Sequence, residues 1–129
     1  MKKIVLAAAL IASIPVHAQE RVAYWEPITL SGKIEMLPGT DLQLGNEVRV
    51  KFPAIVLDHS ITAGTTPNDP DTPLATTGIV QLSATGKNFD TLKRLRGQRA
   101  AVECQDLFPS ATAHHFEPIL CTVERVITP

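Results

Sequence analysis

His114-His115 is the sharpest chemical feature of this 129-residue chain. Adjacent imidazoles suit zinc or copper, and Asp106 or His59 would add a further donor. In extended backbone neighbouring side chains diverge, so only a turn would bring both rings to one metal. The plainer reading is a loop pair in which one imidazole bonds backbone and fixes a hairpin. The carboxylates offer less. Glu103 with Asp106, and Glu26 with Glu35, have the residue types of a general acid–base pair, but the spacings of ordinary solvated faces. His59 beside Ser60 sets a base next to a hydroxyl, yet adjacent residues do not readily form a nucleophile–base couple. GxSxG, HExxH, CxxC and a phosphate-cradling glycine loop are all missing from the sequence. No catalytic residue and no cofactor are assigned, and the chain is read as a non-enzyme.

Cys104 and Cys121 form an even pair. In an oxidising compartment they read as one disulfide, with free thiols as the alternative. The N-terminus supports such a compartment. Lys2 and Lys3 precede the apolar run Ile4–Val16, and Val16-His17-Ala18 offers compact residues for cleavage before Gln19. Residues 1–18 are therefore read as a signal peptide and 19–129 as one domain, periplasmic or secreted. The apolar run is about thirteen residues, short of the roughly 20 of a membrane span. No cysteine stands at the cleavage site, so no lipid anchor is expected. With Lys2 and Lys3 gone, the 12 basic residues fall to 10 against 13 acidic, a balance of −3. That balance argues against a nucleic-acid partner.

The elements that must position these residues are mostly strands. Ile28–Met36 alternates apolar and polar residues, and Gly32 inside it marks a bulge or bend. Leu37–Asp41 reads as a turn cluster. Leu42–Leu44 and Val48–Phe52 form one broken strand or a hairpin about Gly45-Asn46. Pro53 forces an edge or a break before the buried run Ala54–Leu57. Asp58–Gly78, with prolines at 67, 70 and 73, reads as a long surface loop. Within it Thr65–Pro73, carrying Asp69 and Asp71, is either an acidic recognition arm or a plain solvated loop. Ile79–Ser83 is a short strand. Asn88 reads as the N-cap of a two-turn helix, with Phe89, Leu92 and Leu95 on one face and Gly97 closing it. Its basic residues near the end suit the helix dipole.

Arg99–Phe108 and Ile119–Ile127 alternate again. Pairing them antiparallel with Cys104 opposite Cys121 also sets Val102 opposite Val123, so the apolar faces coincide. Tyr24 and Trp25 are either a binding hot spot or the closed base of a small barrel. The order of elements gives a mainly β fold: a small OB-like five-stranded β-barrel with one short helix between strands three and four, an open β-sandwich being the alternative.

Leu95-Arg96-Gly97-Gln98-Arg99 followed by Ala113-His114-His115-Phe116-Glu117-Pro118-Ile119-Leu120 resembles a bacterial, exported domain-of-unknown-function family numbered 4431. Ala113 stands where that family's GHHxxP element has Gly, while His114, His115, Pro118, Ile119 and Leu120 match. Trp25–Gly32 is similar to the family's start. The resemblance implies an exported β-rich module and brings no established reaction.

The expected function is a non-enzymatic binding module whose partner is another envelope or secreted protein. Its concrete form is an inhibitor or immunity protein against a toxin or hydrolase, acting through Asp69 and Asp71 with Tyr24 and Trp25. The alternative is a small-ligand or metal-binding protein using His114 and His115, and a purely structural envelope module is the third reading. Neither nucleic acid nor a membrane anchor is expected.

Overall fold

In the computed structural model the period-two stretches become strands. The structure describes residues 20–64, 71–72 and 74–128. The expected signal segment 1–18 and Asp69 lie outside the described residues. The strands are β1 (Glu20–Val22), β2 (Ile28–Gln43), β3 (Asn46–Ala63), β4 (Ala75–Ser83), β5 (Arg99–Pro109) and β6 (Ile119–Ile127). One helix, α1 (Gly86–Arg94), links β4 to β5. Among the described residues the fold is mainly β with one short helix, as the sequence predicts; the three-residue β1 is an addition to the five expected strands.

The sheet order is β1-β3-β2-β5-β6-β4, and β3 also pairs with β4. Pairing therefore passes from β2 through β3, β4, β6 and β5 back to β2. β4 and β6 run parallel, the other neighbours in that circuit antiparallel, and β1 joins β3 in parallel at Ile61–Ala63. Ile34, Ile55, Leu82, Leu107 and Ile119 fill the centre, each essentially inaccessible to water. Burying such a side chain contributes about 1.5–3 kcal/mol. On α1, Leu92 is fully buried and Leu95, just past its end, nearly so, which agrees with the predicted apolar face.

Several boundaries differ from the sequence reading. Leu37–Asp41 is not a turn: β2 continues through Pro38-Gly39 to Gln43. Beyond Lys33 β2 pairs only with β3, so the missing N–H of Pro38 falls on an unpaired edge. Between the two possibilities left open, the hairpin is found, but its turn is Leu44-Gly45, since Gln43 pairs with Asn46. Pro53 does not break β3; it lies one residue before the pairing with β4 begins at Ala54. Most of the described residues of the segment 58–78 are strand, β3 running to Ala63 and β4 starting at Ala75. Ile61 and Ala63 are buried there, and the Thr62 and Thr76 hydroxyls meet at 2.8 Å across the pair.

The helix opens at Thr85 and Gly86, not Asn88. Gly86 takes φ +59, which turns the chain into the helix early, and the Asn88 amide donates instead to the Glu124 carbonyl at 3.2 Å. Gly97 does close the segment, at φ +81, its N–H donating to the Ile34 carbonyl at 2.7 Å. Cys104 and Cys121 are disulfide-bonded, with 5.5 Å between Cα atoms. Their register is not the predicted one. Cys104 lies opposite Val123, Cys121 opposite Leu107 and Val102 opposite Val126. A bulge at Cys104–Asp106 shifts the pairing, so that Cys104 and Leu107 both face inward and the disulfide crosses diagonally.

Gly32 sits where β2 is bonded on both sides, opposite Leu57 and Ala100. A Cβ there would overlap the Val56 carbonyl. Gly32→Ala is expected to destabilise the fold by about 3 kcal/mol, since backbone has to move. Denaturant unfolding measures it, and a loss below about 1 kcal/mol would show that β2 can shift freely.

Candidate functional site

The histidines lie in the connection 110–118 between β5 and β6, and one buried side chain holds that connection in place. Gln81 of β4 is 7 % exposed, flanked by the core residues Val80 and Leu82. Its Nε2 donates to the His114 carbonyl at 3.0 Å. Its Oε1 accepts the N–H groups of Phe116 at 2.7 Å and Glu117 at 3.3 Å. The amide thus serves as a strand partner for backbone that has none, as buried polar groups require. The Phe116 ring stacks on Phe52 at 4.9 Å and fills the space a Cβ on Gly39 would need.

The two imidazoles do different things. His115 Nδ1 accepts the N–H of Ala111 at 2.8 Å and of Thr112 at 3.3 Å. Its proton is therefore on Nε2, and its ring meets Phe108 edge-on at 5.6 Å. This is the loop-fixing role. His114 Nδ1 instead lies 2.7 Å from Asp41 Oδ1 on β2. The Asp41 side chain is 10 % exposed, and this buried oxygen has no hydrogen-bond partner among the described residues, so His114 meets it as a close ion-pair contact. The contact ties the β5–β6 connection to the β2–β3 hairpin.

The rings are not brought to one centre. Among the described residues no three or more His, Cys, Asp or Glu side chains are grouped to hold a metal. Asp106, considered as a further ligand, accepts the Thr122 hydroxyl at 2.6 Å, and His59 lies on β3 next to Asp58. Glu103 does not pair with Asp106: Arg125 grips it at 2.7 and 3.0 Å, and that bond lowers its carboxyl pKa. Arg99 does the same to Asp58, at 2.6 Å on each oxygen.

Tyr24 and Trp25 part company. Tyr24 is buried in the core, where desolvation raises its phenol pKa. Trp25 is 64 % exposed at φ +67, anchored by its N–H to the Leu107 carbonyl at 2.8 Å. Its ring stacks on Phe108 at 6.1 Å and 17°. Trp25, Phe108 and His115 therefore form a continuous aromatic strip that leads to His114 and the hairpin. Asp71 is exposed at the other end of the β3–β4 connection. Sequence reasoning missed Asp41, which had been placed in a turn, and Gln81. The available signal was one polar residue inside the apolar run Ile79–Leu82.

From β4 to β6 the molecule is a disulfide-linked unit built around this clamped histidine connection. Residues 79–127 match the model of the family described as Domain of unknown function (DUF4431). The matched segment contains Gln81, both cysteines, Phe108 and the histidine pair, whereas Trp25 and Asp41 lie before it. No curated protein and no solved structure matches the chain. No helix among the described residues is long and apolar enough to cross a membrane.

Gln81→Leu keeps the packing volume and removes the clamp. It is expected to cost about 3 kcal/mol and to speed hydrogen exchange at the Phe116 and Glu117 amides more than at those of β2. Equal exchange in both places would remove Gln81 from this role. Burial raises the Glu117 carboxyl above its ordinary 4.5. Its neutral form is thus favoured by folding, a contribution present below the unfolded value and lost as pH rises through the folded one. Glu117→Gln is expected to melt higher than the parent at pH 7, with the gap closing below about pH 4. An unchanged gap across that range would contradict the assignment.

Proposed function

We propose that this chain is a non-catalytic, OB-type β-barrel exported to the periplasm or beyond, and that it holds another exported protein. Its partner surface is where the β5–β6 connection meets the β2–β3 hairpin, extended by the aromatic strip. The observation that carries this reading is the Asp41–His114 contact at 2.7 Å, which locks the two connections together beside an exposed tryptophan. The circuit β2–β3–β4–β6–β5, with a parallel β4–β6 pair and a helix before β5, supports the OB-barrel reading. OB barrels bind ligands at the loops joining their first and second and their fourth and fifth strands. Here those are the hairpin and the histidine connection. This part of the argument is analogy of fold.

Exposed tryptophan is a frequent anchor of protein interfaces. Export is supported by the pattern of residues 1–18 and by the disulfide. An inhibitor or immunity protein fits the small size and the structural pairing of Glu103, Asp58 and Asp106. In this reading Asp69 and Asp71 supply a peripheral acidic contact.

The test uses the oxidised chain 19–129 as bait in a native envelope extract, with partner and stoichiometry read by mass spectrometry. One stoichiometric exported protein is expected, with Trp25→Ala and His114→Ala each weakening its binding more than tenfold while the fold is retained. A partner held equally well by both variants, or no partner at all, would overturn the reading. A second reading, metal binding, rests on the Asp41-oriented His114, because carboxylates commonly orient metal-ligating imidazoles. It requires zinc or copper to raise the melting temperature of the parent and not of His114→Ala.

A further inference from the structure

Among the described residues, Trp25 (φ +67) and Leu44 (φ +52) are the non-glycine residues in left-handed backbone. Such a conformation disfavours bulky side chains, and a two-residue hairpin turn prefers Asn, Asp or Gly. Both residues are also large, apolar and exposed, Trp25 at 64 % and Leu44 at 102 %. Leu44 therefore gains nothing from burial at a position where its backbone is unfavourable. Two independent local preferences are broken together, at the same two residues. Strain of this kind collects where function demands a particular side chain.

We propose that Leu44 and Trp25 are two apolar anchors of one surface, and that Leu44 is the tip of a prong that enters an apolar recess of the protein partner. This rests on the protein-binding reading above. The two residues are joined by a chain of contacts. Trp25 stacks on Phe108, Phe108 meets His115, and His114 Nδ1 lies 2.7 Å from Asp41, three residues before Leu44. Beyond Met36 and Pro53 the hairpin strands pair only with each other, so the hairpin extends past the rest of the sheet. Phe116 and His114 brace it. Leu42, beside the tip, is also exposed, and a Cβ on Gly45 would meet nothing within 4 Å. A braced, projecting apolar tip is complementary to a cleft and not to a flat face. The exposed charges along the arm are of both signs, Glu47 against Arg49 and Lys51, which suits the polar rim of a protein recess better than an anionic lipid surface.

The test places a benzophenone amino acid at position 44 of the oxidised chain 19–129 and, as control, at the exposed Lys87 of α1. In a native envelope extract, position 44 is expected to crosslink one protein at residues lining a recess, and position 87 is not. Excess parent should suppress that crosslink more than tenfold, and Leu44→Asn should not. Leu44→Asn should also melt higher than the parent by about 2–5 °C, because Asn accepts the left-handed turn. If Leu44→Asn competes as well as the parent while Trp25→Ala and His114→Ala fail, the prong is wrong and the binding surface stands. If no crosslink forms, both fall. Leu44-dependent sedimentation with phosphatidylglycerol–phosphatidylcholine vesicles, or a Leu44-dependent dimer in the ultracentrifuge, would replace the protein recess with lipid or a second copy and overturn the proposal.

Discussion

Gln81 is a primary amide in the core of β4, and the exposed surface of the molecule depends on it. An amide buried without partners costs more than it returns, so its placement is tolerable only because the 114–117 backbone satisfies it. The dependence is mutual. That backbone belongs to no strand and needs bonds that no neighbouring strand supplies. Once it is fixed, Phe116 is delivered to Phe52 and Gly39, His114 to Asp41, and His115 to Phe108. Each contact carries the order of the core one step outward, ending at the hairpin on one side and Trp25 on the other.

A chain of this size has little core to spare, because small domains bury a limited share of their surface. Pairing β3 with both β2 and β4 closes the sheet at the base of the hairpin, which saves backbone bonds there, and leaves unpaired strand edge along the hairpin beyond Met36 and Pro53. The close approach at Gly32 is a condition of that arrangement: β2 is bonded there on both sides, and only the missing Cβ lets the Val56 carbonyl come so near. The disulfide adds a link from β5 to β6 beside the bulge, where the ladder is weakest. Closing a loop of this length restricts the unfolded chain by roughly 3 kcal/mol.

The strands with strict alternation were legible, and β6 was found at its observed ends, Ile119 and Ile127. Failures occurred where local propensity was overruled by a partner. Pro38-Gly39 reads as a turn, but β3 pairs along it and Phe116 occupies the space above Gly39. The threonines at 62, 76 and 77 read as loop, yet Thr62 and Thr76 bond across a strand pair that buries Ile61 and Ala63. The cysteine register failed because alternation was extended through a bulge that no residue type announces. Of the site, the histidine pair and Trp25 were visible as residue types. Asp41 and Gln81 were not, since their roles exist only once distant strands are adjacent.

His114 and His115 show why adjacency in sequence is a poor guide to shared chemistry. Both use Nδ1, in opposite senses: one accepts from backbone, the other faces a carboxylate. The pair is a hinge between two halves of a surface, not a two-tooth ligand. The same division separates Tyr24, which serves the core, from Trp25, which is turned out of it by a left-handed backbone. At both places a single step along the chain changes from holding the fold to facing the solvent. Trp25 and His114 are each one residue from a buried or hydrogen-bonded neighbour, which restrains them. For the proposed binding role, rigidity of this kind would lower the entropy lost on association.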